Sequence, residues 1–452
     1  MPSSAFSVLQ PPVLKRLEKE GFLEASPIQE LSIPAILRGE NVLLIAPTGT
    51  GKTLAAILPV LDKFLEARSS EKTHGISILY VTPLRALNRD LLRRLEEMGR
   101  DLDVKIQVRH GDTPTSARSQ QAKSPPDMLI TTPETLQSIL VGKRMKEHLR
   151  AVRWVVVDEV HELATDERGV QLSIALERLI ELTGREFQRI GLSATIGEPE
   201  RIGQFLVGTN RQVSILRSDE ERGLQISVGS VSPTGKDHEE ASRLGLPIST
   251  VARARKILGL IEAHKSTLVF TNTREHAEAL ASQLFALGAV GVKVHHGSLS
   301  RELREEAEKE FQAGSLRALI CTSSLELGID IGSVDFIIQY TSPRETTRLV
   351  QRIGRSGHTL GGTSRGIILT ITPDDILESA VLIQRAKEGR LERPIIHEKA
   401  LDVLAHQIIG MLMQQRRMTI EEILQLVRRR EDQGRGLGPE ELRVVLGPAE
   451  IW

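Results

Sequence analysis

Short apolar runs rich in β-branched residues recur along the chain, separated by longer stretches whose apolar residues fall at helical spacing. Asn41–Ala46, Ile76–Thr82, Met128–Thr132, Trp154–Asp158 and Arg189–Ser193 read as strands, with helices over Thr53–Ala67 and Leu84–Met98 between them. The runs are continuously apolar rather than alternating, which predicts strands buried on both faces, in parallel sheets covered by helices. A second series begins later, at Leu268–Thr271, Val292–His295, Ala318–Thr322, Phe336–Tyr340 and Gly366–Ile371. The pattern predicts an α/β protein with two parallel-sheet domains of similar plan. The stretch from about Arg217 to Pro247, mixing charges with Gly, Ser and Pro around one strand-like run at Leu224–Val231, reads as the connection. After about Arg390 the pattern turns helical, at Ala400–Gln415 and Ile420–Val427. The expected organisation is residues 1–215, a linker and entry strand at 216–247, a second domain at 248–390, and a helical segment at 391–452.

The length agrees: 452 residues exceed one hydrophobic core and fit two or three domains of roughly 150–200 residues each. No apolar run approaches the ~20 residues of a membrane span. The single cysteine, Cys321, excludes an intramolecular disulfide and fits a reducing compartment. With no basic-then-apolar leader pattern at the N-terminus, a cytoplasmic protein without a membrane anchor is expected. The 59 Lys and Arg balance 59 Asp and Glu, so any nucleic-acid surface must be a local groove rather than a global field. Aromatics are only 3% of residues, which argues for backbone contacts over stacking platforms.

Ala46-Pro47-Thr48-Gly49-Thr50-Gly51-Lys52-Thr53 follows a predicted strand and opens a predicted helix, the context a phosphate-binding loop requires. Glycines let backbone N–H groups converge on phosphate oxygens, and the helix N-terminus adds partial positive charge. Lys52 supplies a full charge to the β- and γ-phosphates, and the Thr53 hydroxyl suits Mg²⁺. Ala46 stands where the generic pattern has its first Gly. Val155-Val156-Val157-Asp158-Glu159-Val160-His161 puts two carboxylates at a buried strand end, where ligands of parallel sheets bind. Asp158 would hold Mg²⁺ and Glu159 would orient and deprotonate the attacking water. An Asp-Glu pair alone is a common surface feature; beside a phosphate cradle it completes an ATP-hydrolysing site. Gln351-Arg352-Ile353-Gly354-Arg355-Ser356-Gly357-His358, far along the chain, offers positive charge for the transition state from a second domain, which would couple hydrolysis to domain closure. His295-His296 has no Cys or His partner at ligand spacing, so no structural zinc is expected.

Together these residues resemble superfamily 2 helicases, with two RecA-like domains and Asp158-Glu159-Val160-His161 as a DExH-type box. The resemblance runs from Gln29 to His358 with its motifs in order. Pro27-Ile28-Gln29 is similar to the adenine-reading element. Thr82-Pro83-Leu84-Arg85-Ala86-Leu87 and Thr131-Thr132-Pro133-Glu134 resemble the first nucleic-acid motifs, which implies strand contacts at Thr82, Pro83, Arg85, Thr132 and Pro133. Ser193-Ala194-Thr195 resembles the element linking hydrolysis to strand movement, with His161 as a second coupling residue or simply a satisfied loop histidine. In the second domain Thr271, Asn272, His296, Gly297 and Thr322 match strand-contact motifs, and Gly328-Ile329-Asp330 matches the motif touching nucleic acid and ATP ribose. The resemblance makes Arg355 the main arginine finger, with Gln351 and Arg352 in the same catalytic element. His110-Gly111-Asp112-Thr113, the Leu192–Gly197 and Ser323–Asp330 stretches and the Arg355–His358 ending point to the large helicase-related (Lhr) family. Leu401-Asp402-Val403-Leu404-Ala405 resembles the helix opening that family's winged-helix domain, of which 391–452 would be a part. Many relatives carry a second arginine where His358 stands here.

The resemblance implies a monomeric motor that uses ATP and Mg²⁺, moves 3′ to 5′ on a single strand of DNA or RNA, acts at duplex junctions, and unwinds DNA or RNA:DNA with little sequence preference. Each threonine alone fits a helix cap or strand-end hydroxyl as well as a strand contact; only their order along the chain favours contact. A nucleic-acid-stimulated ATPase without processive unwinding carries the same motifs. A non-hydrolysing clamp is disfavoured by intact Lys52, Asp158, Glu159 and Arg355, and a small-molecule kinase has no use for the second domain.

Overall fold

The computed structural model describes residues 4–47, 49–70, 74–83, 89–208, 210–218, 223–326, 332, 334–357, 362–397, 400–415 and 417–428. The chain divides into two compact units, one of Met1–Ala46, Thr50–Asp219 and Arg393–Trp452, the other of Pro47–Gly49 and Glu220–Glu392.

The first unit is built on seven parallel strands: β1 (Val42–Ile45), β2 (Ile78–Val81), β3 (Ile106–Arg109), β4 (Met128–Thr131), β5 (Trp154–Val157), β6 (Gln188–Ser193) and β7 (Ser214–Arg217). Their order is β3-β4-β2-β5-β6-β1-β7. Strands β1, β2, β4 and β5 are buried at every position, because helices cover both faces of the sheet. Val42, Leu44, Ile78 and Tyr80 point into one core with the helices Pro27–Leu37 and Lys52–Ser70. Leu43, Ile45, Leu79 and Val81 point into another with the helices Pro133–Val141 and Glu167–Thr183. Each such side chain taken from water contributes about 1.5–3 kcal/mol, so register is fixed from both sides.

The second unit repeats the plan with β8 (Leu224–Gly229), β9 (Thr267–Phe270), β10 (Val292–His295), β11 (Ala318–Cys321), β12 (Phe336–Tyr340) and β13 (Ser364–Leu369), in the order β10-β11-β9-β12-β13-β8, all parallel. The predicted strands lie within a residue or two of those observed. β3 and β7 were not anticipated: both are short, and most of their positions are only half-buried. The stretch read as a connection holds the expected strand, β8, which pairs with β13 over six residues. It also holds a helix that was not anticipated: Gly235–Leu244 is polar, with only Asp237 and Ala241 buried.

The C-terminal helices Leu401–Gln415 and Ile420–Arg428 pack on the first unit, where Val403, Leu404, Ile408, Met411 and Leu424 form a cluster with Val170 and Ile174. Arg178 pins this docking. Its guanidinium, nearly inaccessible, donates to Gln137 Oε1 at 2.8 Å, Gln407 Oε1 at 3.0 Å and Gln414 Oε1 at 2.9 Å. Burial pushes it down to about 10.

Candidate nucleotide site and strand-facing edge

The chemistry of the first unit gathers at the C-terminal ends of its strands, where parallel sheets place their ligands. The cradle follows β1. Gly49 and Gly51 take φ values of +81° and +87°, which glycine adopts without strain. A Cβ on Gly51 would lie 2.7 Å from Gln29 Nε2. Gln29 sits in the first turn of the helix Pro27–Leu37: its Oε1 accepts from Ser26 N at 2.9 Å, while Nε2 reaches Gly51 O at 3.4 Å. Ser26 Oγ donates to Thr50 O at 2.9 Å. The element expected to read adenine thus also braces the loop. The helix Lys52–Ser70 begins at the loop, aiming its N-terminus at the cradle. Lys52 Nζ donates to Ala46 O at 2.5 Å. Thr48 lies outside the described residues.

Asp158 follows β5. Its Oδ1 accepts from Glu159 N at 3.0 Å, and its Oδ2 accepts from the hydroxyl of Tyr80 at 2.6 Å. Burial, with the Glu159 carboxylate beside it, pushes Asp158 up to about 7. Tyr80, fully buried on β2, is raised well above its ordinary value by burial and then by Asp158. One buried hydroxyl therefore holds the carboxylate expected at Mg²⁺. Sequence reasoning missed it, because a tyrosine inside Ile78-Leu79-Tyr80-Val81 reads as core; the signal was a polar tip in a strand two places from a motif. Glu159 is buried and holds a left-handed backbone, φ 47° and ψ 45°. Such strain in a non-glycine residue persists where surrounding contacts fix it. Two oxygen donors on a phosphate loop and a strand end fit a hard cation that takes its remaining ligands from phosphates and water. Among the described residues no cluster of three His, Cys, Asp or Glu forms an all-protein metal cage.

His161 and Ser193 meet, with His161 Nδ1 3.1 Å from Ser193 Oγ, which donates to Ala194 O at 2.9 Å. The assignment satisfying both contacts has Nδ1–H donating to Oγ. Burial, aided by the Lys52 charge, pushes His161 down to about 3, so it works as a neutral ring. Thr195 follows, half-buried.

Strand-contact candidates occupy the next strand ends. Thr82 N donates to Thr131 O at 3.0 Å. Thr132 caps the helix Pro133–Val141, its Oγ1 accepting from Thr135 N at 3.4 Å, and Pro133 is that helix's first residue. Thr82, Thr132 and Pro83 are all buried. Arg85 lies outside the described residues.

In the second unit Arg352 is almost wholly buried. It donates from Nε to Glu326 Oε1 at 2.6 Å and from one terminal nitrogen to Asn272 Oδ1 at 3.0 Å and Gln339 Oε1 at 2.8 Å. Asn272 Nδ2 in turn bonds Ser342 O at 2.7 Å. Arg355, also buried, donates from Nε to Glu326 O at 3.0 Å. The structure thus brings Asn272, Glu326, Arg352 and Arg355 into one network, whose hub, Glu326, sequence reasoning did not single out. Gln351 is half-buried. Thr271 is buried and bonds Thr273 O at 3.0 Å, and Thr322 precedes the 3₁₀ turn Ser323–Leu325. His296 Nε2 lies 2.7 Å from Glu278 Oε1, while Gly297 is exposed with open space around it. Gly328, Asp330 and His358 lie outside the described residues.

A phosphate loop after β1 and an acidic pair after β5, on a parallel sheet followed by a second such sheet, define a P-loop nucleotide-binding protein with tandem RecA-like units. The family model for the DEAD/DEAH box helicase matches residues 26–202, and that for the helicase conserved C-terminal domain matches residues 250–359. The ATP-dependent helicase Lhr-Core of Methanothermobacter thermautotrophicus is 39% identical over 435 residues, covering 90% of this chain and 49% of its own length. The Lhr helicase/uracil glycosylase of Escherichia coli is 36% identical, covering 89% of this chain and 30% of its own. Among solved structures, the Mycobacterium smegmatis helicase Lhr bound to ssDNA and AMP-PNP superposes with a TM-score of 0.81 at 34% identity, over 95% of this chain and 56% of that one. The chain belongs to the Lhr family of superfamily 2 helicases. It spans about half the length of the Lhr-Core relatives it matches.

Proposed function

We propose that this chain is an ATP-hydrolysing motor that moves 3′ to 5′ along a nucleic-acid strand and opens DNA or RNA:DNA duplexes. The observation that carries the reading is the arrangement along one edge of the first unit's sheet: the Lys52–Thr53 cradle after β1 and, beyond β6, Asp158 and Glu159 after β5, then Thr82 and Thr132 after β2 and β4. Nucleotide chemistry and strand grip share one edge, so movement at one reaches the other through the sheet. The related M. smegmatis helicase was solved with ssDNA and a nucleotide analogue, which supports both ligands here.

Lys52 leaves the Ala46 carbonyl to meet the phosphates, and backbone N–H groups of the loop hold their oxygens. Thr53 and Asp158 would hold Mg²⁺, which when bound neutralises charge on the phosphates. Glu159, positioned by its left-handed backbone, orients water and takes its proton. Arg355 is the finger from the second unit. Arg352 braces it: both arginines are fastened to Glu326, one through the carboxylate and one through the carbonyl. Loss of γ-phosphate would be sensed at Glu159 and passed along His161 and Ser193.

The test is strand displacement by the full chain on DNA:DNA and RNA:DNA duplexes with a single-stranded tail of either polarity. Unwinding confined to 3′-tailed substrates and requiring ATP supports the reading. Strand-stimulated hydrolysis without displacement would leave a translocating ATPase, and absence of hydrolysis would end the motor reading altogether.

A further inference from the structure

The helix Thr346–Ile353 carries Gln351 and Arg352, and Arg355 follows two residues beyond its end. Its eight residues make about 12 Å of helix, too short to hold a direction by itself, so what fastens its ends decides where the arginines point. The C-terminal end is fastened by Arg352 on Glu326, Asn272 and Gln339. The N-terminal end is fastened from far along the chain. Glu345, at the cap position, makes no side-chain cap hydrogen bond. Glu392 serves instead: its Oε1 accepts from Thr346 N at 2.8 Å, and its Oε2 accepts from Thr347 N and Thr347 Oγ1, both at 2.9 Å. Burial alone would raise Glu392, but the hydrogen bonds from Thr346 and Thr347 hold its carboxyl down at about 2. Arg385 stands farther off, at 3.9 Å. A carboxylate on the first N–H groups of a helix sits where the helix dipole favours it.

Two features set this contact apart from ordinary capping. The lead-in to the helix is strained: Thr341 and Arg344 take φ values of +67° and +71°, a backbone that a β-branched residue rarely adopts. The segment is held there by Asn272 Nδ2, which donates to Thr341 Oγ1 at 3.1 Å, and by Asp375 Oδ1, which accepts from Ser342 N at 2.7 Å. Strain held in this way marks a segment whose place matters. The capping residue is also the last of the second unit. The next residue, Arg393, belongs to the first unit and is fastened inside it, its Nε 2.9 Å from Glu198 Oε2. Glu198 opens the helix Pro199–Val207, three residues after Thr195. Each unit thus anchors its own side of one peptide bond. We propose that Glu392 is a positioning residue for hydrolysis: it ties the arginine-bearing helix to the chain's exit from the second unit and so sets the reach of Arg355. The proposal rests on the motor reading, in which Arg355 is the finger. A charge that stabilises a transition state works only at its distance, and a misplacement of about 1 Å removes much of its effect.

The experiment is single-turnover hydrolysis of radiolabelled ATP by an excess of the full chain with oligo(dT), which also reads rates too slow for steady state. Glu392→Gln keeps the shape of the side chain but leaves one oxygen to accept. The maximal rate should fall about tenfold. The protein concentration giving half that rate should change by less than about twofold, because ATP binding is left alone. In an Arg355→Ala background the same substitution should cost nothing further, because its effect runs through Arg355. A merely structural role would add its full cost in either background. If Glu392→Gln melts early, Thr347→Val, which removes one hydroxyl from the cap, should repeat the pattern with a smaller fall. An unchanged rate in a folded variant, or a fall of equal size with and without Arg355, overturns the positioning role and leaves the motor reading intact. Wild-type rates in Arg355→Ala would overturn the finger and the proposal together.

Discussion

Tyr80→Phe deletes a single oxygen and leaves the ring that fills the core. That oxygen is fully buried and donates to Asp158 at 2.6 Å. A hydrogen bond to an ionised group is worth about 1.5–3 kcal/mol, so its loss corresponds to about 10- to 150-fold in the affinity it supports. The hydroxyl also lowers Asp158, whose carboxyl stands at about 7 even with that help. Without it Asp158 rises further and is more protonated at neutral pH, so a cation must displace a proton as well as find its ligand. Titrating Mg²⁺ against a fluorescent ATP analogue should show at least about tenfold weaker Mg²⁺-dependent binding in the variant. The deficit should narrow as pH rises above neutrality, because Asp158 then ionises in both proteins. Binding without Mg²⁺ should change little, and the melting temperature serves as the control for folding. A variant with wild-type Mg²⁺ dependence across that pH range would refute the reasoning.

Acid should destabilise the first unit through His161, which stands at about 3 when folded against 6.5 as an ordinary histidine. The unfolded state binds the proton first, so stability declines as pH falls from 6.5 towards 3, by up to about 1.4 kcal/mol per pH unit. Asp158, raised from 3.8 to about 7, acts oppositely, its folded form gaining stability as pH falls from 7 towards 3.8. Denaturant midpoints against pH for His161→Asn and Asp158→Asn should each remove one of these slopes. Arg178→Met should cost about 2 kcal/mol by leaving the carboxamides of Gln137, Gln407 and Gln414 without their donor, and hydrogen exchange over Leu401–Gln415 should rise while β1 stays protected. Arg352→Gln strands the Glu326 carboxylate and should destabilise the second unit by about 3–5 kcal/mol, read as early melting of β9 and β12 by hydrogen exchange.

The sequence made much of this legible because its strongest signals are local. A glycine-rich turn between strand and helix, and four-residue strands buried on both faces, announce themselves by composition and period. The edge strands of the first sheet do not: Ile106-Gln107-Val108-Arg109 mixes apolar and polar positions, so β3 looked like loop. Tyr80 was hidden for the opposite reason, being chemically active inside an apolar run. Arg178 meets Gln407 and Gln414 across 229 and 236 residues, and Arg352 meets Asn272 across 80. Partners so remote leave no periodic trace. The helix Gly235–Leu244 turns so little apolar surface inward that its sequence resembles a connection.

The claim on which the account turns is that Glu159 activates water for a hydrolysis that a nucleic-acid strand controls. Steady-state ATP turnover by the wild-type chain and by Glu159→Gln, with and without oligo(dT), tests it in one experiment. Strand-stimulated turnover in the wild type, with a variant that binds ATP yet stays near background in both conditions, is the predicted result. Wild-type turnover in the variant, or turnover indifferent to the strand, would contradict it.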